Sequence, residues 1–161
     1  MTTKVQLLQR LQQERERLLQ ALEGLSDDEM CLPNAVGVWS VKDVLGHIAD
    51  WERHFSEQIG RIRDGQPLEW IDEKEIEAWN AAHAAAKREV PLRQIREELA
   101  HVREGLLETL RGLQEELLQR RVQVAGEQTD ISSYVSSAWE HDQEHLPDFL
   151  AWRRELGTSE V

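Results

Sequence analysis

His141 and His145 stand four positions apart in the run Trp139-Glu140-His141-Asp142-Gln143-Glu144-His145. In a helix that spacing puts both side chains on one face, about 5 to 6 Å apart, where one ring nitrogen from each can reach the same metal ion. A third histidine, His47, lies far upstream in a stretch of the same helical periodicity. Three imidazoles form the donor set of a mononuclear catalytic site, with an open position left for water or substrate. Ligands roughly 2.0 to 2.1 Å from one cation require the three ring nitrogens to sit about 3 to 4 Å apart around a common point. The pair alone is not specific, because any helix with two histidines has a fair chance of this spacing. His47 adds weight through its placement one turn from Val44 and from Trp51, on the apolar side of its own helix.

Other side chains near these positions carry weaker signals. Glu140, Asp142, Glu144 and Asp148 surround the pair and can accept the second N–H of a ligating imidazole, although a solvated helix face has the same composition. Tyr134 precedes His141 by two turns, so its hydroxyl is a candidate for a substrate pocket, with a core tyrosine as the competing reading. Trp51 and His54 follow His47 on the same helix and are the other candidates for that pocket. His83 falls in a crossover segment where it can line a pocket mouth, while His101 sits among Glu97, Glu98, Arg103 and Glu104 and reads as solvated. Cys31 has no basic neighbour nearer than Lys42 and reads as incidental.

The elements that must position these residues are helices. Leu7, Leu8, Leu11, Leu18, Leu19 and Leu22 recur at helical spacing over residues about 3 to 24, with Gly24 as a stop signal. Ser26 and Glu29 fit a capping box that opens a short helical turn, ended by Pro33, Asn34 and Gly37. Ser40, with Asp43 three positions on, caps a second long helix running from Val41 to about Asp64, the one that carries His47. Gly65 and Pro67 break that pattern, and Trp70 to Lys87 reads as a shorter helix in a crossover. Pro91 opens a third long helix whose leucines repeat to about Leu118. Val122 to Gln128 reads as a polar connector, and Asp130 or Ser132 caps a fourth long helix reaching about Leu156. Pro147 cannot donate to the Gln143 carbonyl, which predicts a kink just after His145. Trp39, Trp51, Trp79, Trp139 and Trp152 fall at apolar helical positions or just before a cap, which places most of them in the core. The fold class is therefore all-α, an up-down four-helix bundle with an extra short helix in the crossover, and such bundles build their sites between facing helices.

Composition fits this reading. The 161 residues are 40% hydrophobic, enough for one domain spanning the chain. Nineteen Lys and Arg against 31 Asp and Glu give a net charge of -12, which disfavours nucleic acid and anionic membrane surfaces as partners. The single cysteine excludes an internal disulfide and a cysteine-based zinc cluster. No run reaches the roughly 18 apolar residues that span a bilayer, and no apolar leader is present, so a reducing cytoplasm is the simplest location. Gly-rich phosphate loops, nucleophile elbows and paired cysteines are all missing from the sequence.

The run Leu25-Ser26-Asp27-Asp28-Glu29, then Gly37-Val38-Trp39-Ser40-Val41-Lys42-Asp43-Val44-Leu45-Gly46-His47-Ile48 and Trp51-Glu52, resembles the DinB-like four-helix bundle superfamily across nearly the whole chain. Trp79-Asn80-Ala81-Ala82 leading to Pro91-Leu92 is similar to its ClbS/DfsB, or DUF1706-type, subgroup. The resemblance implies one histidine ligand from the second long helix and two from the last, which fall on His47, His141 and His145. It further implies a divalent cation, nickel or zinc, a small-molecule substrate, a low-molecular-weight thiol as possible co-substrate, and a homodimer. The activities implied are a metal-dependent hydrolase or a thiol-dependent S-transferase. The alternatives are a non-catalytic bundle that binds a small molecule or dimerises, and a ClbS-like hydrolase that works without metal. Pro147 departs from the uninterrupted last helix of that superfamily.

Overall fold

Hydroxyl caps set where the first helices begin. In the computed structural model, which describes residues 2–158, α1 (Lys4–Gln20), α2 (Asp27–Met30) and α3 (Val41–Arg63) each open on a reciprocal capping box. At α3 the Asp43 N–H donates to Ser40 Oγ at 3.1 Å and the Ser40 N–H donates to Asp43 Oδ2 at 2.9 Å. Both of those unpaired backbone donors are thereby satisfied at the helix that carries His47. A crossover leads through α4 (Ile76–Ala86) to α5 (Leu92–Gly112), whose N-cap is Pro91. Asp130 caps α6 (Ile131–Thr158) by accepting from the Ser133 N–H at 2.8 Å.

Between α5 and α6 the chain does not form the polar connector its composition suggests. Residues Val122–Val124 (β1) and Glu127–Thr129 (β2) pair as an antiparallel hairpin, with Val122 opposite Thr129 and Val124 opposite Glu127. The two turn residues, Ala125 and Gly126, both take positive φ, 50° and 86°. That is the backbone sense of a tight two-residue hairpin turn.

The four long helices do not alternate strictly in direction. Leu18 and Leu22 of α1, Val41 to Ala49 of α3, Leu92 to Val102 of α5 and Phe149 and Trp152 of α6 form one apolar cluster. Leu7 and Leu11, Ile59 and Ile62, Leu106 to Leu110, and Ile131 to Ala138 form a second. Consecutive helices α3 and α5 therefore run the same way, with α1 and α6 opposed to both, and the long crossover containing α4 is what permits it.

A polar layer separates the two clusters. Arg15, Glu52, Arg103 and Asp142 are all buried, one from each long helix. Asp142 accepts from Arg15 Nε and Nη2, both at 3.1 Å, and from Arg103 Nη2 at 3.0 Å. Glu52 accepts from Arg103 Nε at 3.0 and 3.1 Å and from Arg15 Nη2 at 3.1 Å. Arg103 also donates to the Leu11 carbonyl and Arg15 to that of Leu99. Burial pulls the Arg103 guanidinium down, but Glu52 and Asp142 outweigh it and hold the group above its ordinary value. Two cations and two carboxylates leave the layer neutral, the condition for burying charge at all.

α6 remains helical through Pro147, which is exposed. Of the five tryptophans expected mostly in the core, only Trp152 is buried. Trp39, Trp51, Trp79 and Trp139 are half-buried, and Trp39 packs against His47 while Trp51 lines the space beside it.

Candidate metal centre

α3 presents His47, and α6 presents His141 and His145, toward one point at the level of the polar layer. His47 Nε2 lies 2.9 Å from His141 Nε2, and His145 Nε2 lies 3.1 Å from that same atom. One donor atom from each of the three falls within 4.8 Å of the others. The rings meet edge to face, with centroids 4.7 Å apart for His47 and His141 and 4.8 Å apart for His141 and His145. Trp39 packs against His47 at 5.0 Å; it is held there by backbone bonds to Val36 at 2.9 and 3.0 Å that close the loop before α3.

Protons alone satisfy this arrangement poorly. His141 Nε2 carries either one hydrogen or one lone pair, yet it faces two nitrogens at hydrogen-bond distance. A cation accepts three converging lone pairs where a proton accepts one, and separations near 3 Å match a shared ion at about 2.1 Å. Burial, with the nearby His145 adding to it, pushes the His47 imidazole down to about 4. Burial, followed by the charges of His47, His145 and Arg15, pushes His141 down to about 2. Both rings are therefore neutral at pH 7, the form that binds metal.

The carboxylates around the pair fall differently from expectation. Asp142 faces the polar layer, since residues adjacent on a helix point about 100° apart. His141 Nδ1 and His145 Nδ1 are buried without a hydrogen-bond partner among the described residues. Asp148 comes nearest, its Oδ2 lying 3.4 Å from His145 Nδ1, close enough for attraction without hydrogen-bond alignment.

A cavity of about 410 Å³ opens in front of the histidines. Its walls are Trp51, Phe55, Ile76 and Asn80 on one side and Ser137, Glu140 and Glu144 on the other. Trp51 Nε1 donates to Asn80 Oδ1 at 2.8 Å and so ties α3 to α4 across the wall. Tyr134 lies outside this lining; burial raises its hydroxyl pKa, and its ring sits 6.4 Å from Phe55. His54 lines a second cavity of about 540 Å³ with Asp50, Arg53, Trp79 and His83. Burial lowers its pKa, against the pull of Glu57 and Glu69. His83 stacks on Trp79 at 3.7 Å, while His101 and Cys31 are exposed.

Sequence reasoning missed the polar layer and the contribution of α4. Arg15 lies four residues after Leu11 and three before Leu18, and Arg103 lies four after Leu99 and three before Leu106. A charge in an apolar slot was the available signal.

A model of the DinB superfamily matches residues 10–147. No curated protein matches the chain. Among solved structures the chain is similar to YfiT from Bacillus subtilis, titled a probable metal-dependent hydrolase with an unusual four-helix bundle topology. That match has 20% identity and a TM-score of 0.73, covering 96% of this chain and 87% of that one. It is similar to the colibactin self-resistance protein ClbS, solved with double-stranded DNA, at 10% identity and TM-score 0.73, over 99% and 96% of the two chains. Similarity to the mycothiol-dependent maleylpyruvate isomerase has 14% identity and TM-score 0.73, over 92% of this chain and 63% of that one. At these identities the likeness establishes the fold.

Proposed function

Because this chain belongs to the DinB superfamily, we propose that it is a metal-dependent enzyme acting on a small molecule, with His47, His141 and His145 holding one divalent cation, nickel or zinc. The observation that carries the proposal is the meeting of three imidazole nitrogens, two of them 2.9 and 3.1 Å from the third. A cation bound there supplies Lewis acidity and lowers the pKa of a water or thiol at its open positions toward about 7. Hydrolysis and thiol transfer are the two reaction types consistent with that chemistry. The isomerase neighbour is described as mycothiol-dependent, and this lends the thiol its place as candidate co-substrate.

The chain's own residues supply binding and orientation. Phe55 and Ile76 give the cavity an apolar wall that limits water. The bond from Trp51 to Asn80 fixes that wall against α3. Asp142, clamped by Arg15 and Arg103, fixes the rotation of α6 and hence the direction of His141. The net charge of -12 supports a small molecule rather than a phosphate backbone as the partner.

Metal content of untagged protein tests the reading. One equivalent of nickel or zinc is expected in the wild type after supply and dialysis, with loss in a folded His141→Ala variant. Wild-type protein that retains no ion after supply of either metal refutes it.

A further inference from the structure

Among the described residues, Glu140 and Glu144 are the only Asp, Glu, Lys or Arg side chains in the lining of the histidine cavity. Neither has an ion-pair or hydrogen-bond partner among the described residues, and both are exposed. Among the described residues, the two buried arginines are already matched. Arg15 and Arg103 are taken by Glu52 and Asp142. Lys87 lies 2.7 Å from Asp50 and 2.6 Å from Glu98, and Arg53 lies 3.0 Å from Asp50. The short run that leads into Ile76, residues 72–77, carries Asp72, Glu73, Glu75 and Glu77 against Lys74. The opposite wall offers the aromatic faces of Trp51 and Phe55, which favour a cation or an apolar body over an anion. At about 410 Å³ the space suits a small organic molecule.

We propose that this cavity selects a substrate bearing a protonated amine, with the ammonium group set against Glu140 and Glu144 and the apolar part against Trp51 and Phe55. The inference rests on the metal reading only for which end of that molecule reacts; the charge preference belongs to the cavity itself. Cationic and anionic versions of one molecule should therefore differ in affinity whether or not an ion is bound. Two carboxylates about 6 Å from a ligand charge in a water-like medium change affinity about tenfold.

Two probes keep the failures distinguishable. In cobalt(II)-loaded protein, thiolate charge-transfer absorption gives dissociation constants for 2-aminoethanethiol and for neutral 2-mercaptoethanol. The dissociation constant of 2-aminoethanethiol relative to that of 2-mercaptoethanol should rise about tenfold in Glu140→Gln/Glu144→Gln, a comparison in which the thiols' own basicities cancel. In metal-free protein, calorimetry with phenethylamine should show affinity about tenfold weaker in the same double variant, with no such loss for phenethyl alcohol. Protein that takes up no cobalt but shows the calorimetric difference supports the amine preference while refuting the metal reading. Amine and alcohol affected alike by the double substitution, in either form of the protein, overturns the proposal.

Discussion

Asp142→Asn should be among the most damaging single substitutions in this chain, although it changes one atom and faces no cavity. The Asp142 side chain has no exposed surface and accepts three hydrogen bonds from two guanidinium groups, at 3.0 to 3.1 Å. Asparagine keeps the volume but removes the charge, and its amide group presents hydrogens to donors that already have theirs. Arg15 and Arg103 would then share Glu52 alone, leaving one uncompensated positive charge between the two apolar clusters. Loss of one partner from a buried ionic group costs about 3 to 5 kcal/mol, a large part of the roughly 5 to 15 kcal/mol that holds a domain together. With a urea slope of about 2 kcal/mol per molar, the midpoint should fall by about 2 M. The double variant Arg15→Met/Asp142→Asn restores charge balance, because Arg103 and Glu52 remain as a pair. Its loss should be smaller than the sum of the two single losses by at least about 1 kcal/mol. A single-variant loss below about 1 kcal/mol, or strict additivity in the cycle, would refute the account of this layer as a charge-balanced buried unit.

The remaining predictions concern the histidines and the cavity walls. Burial holds His47 and His141 below the ordinary value, at about 4 and about 2, so in chelated protein the unfolded imidazoles protonate first. Their contribution is present above about pH 6.5 and is lost on acidification, the share of His47 down to about pH 4 and that of His141 further still. Allowing for the partial exposure of His47, each should cost about 1 to 2 kcal/mol by pH 5; urea midpoints at pH 7.5 and 5 should show this, with a shallower dependence in His47→Gln, and equal slopes would count against it. Pro147→Ala regains a backbone bond to the Gln143 carbonyl in a helix that already runs through the site, and should raise stability by about 1 to 3 kcal/mol in thermal melts. Trp51→Phe deletes the donor to Asn80, and hydrogen exchange should speed up in residues 76–86 while the rest of α3 stays protected.

What could be read from the sequence was local. The spacing of His141 and His145, the Ser40 and Asp43 cap and the apolar stripe around His47 each span a few residues, and each is set by helix geometry alone. What escaped was set by partners distant in the chain. Arg15 lies 127 positions from Asp142, so the sequence shows a charge in an apolar slot but not what neutralises it. The hairpin escaped because Ala125 holds a turn position where asparagine or aspartate is the usual signal, and the direction of α5 escaped because periodicity carries no information on which way a crossover returns.

The polar layer and the histidine site also turn out to be one device rather than two. His141 and Asp142 are neighbours on α6, and neighbouring side chains on a helix diverge by about 100°. If Asp142 faces the guanidinium groups in the interior, His141 is turned toward α3 and the cavity, and no other rotation of α6 satisfies both. Glu52 fixes α3 in the same way, five positions after His47, by bonding Arg15 and Arg103. The two helices that supply the imidazoles are therefore clamped to the same pair of arginines at the same height in the bundle. A loosened layer should widen the separations among the ring nitrogens before it unfolds the chain, so conservative changes at Arg15 or Glu52 should weaken metal retention at temperatures where the helices are still intact.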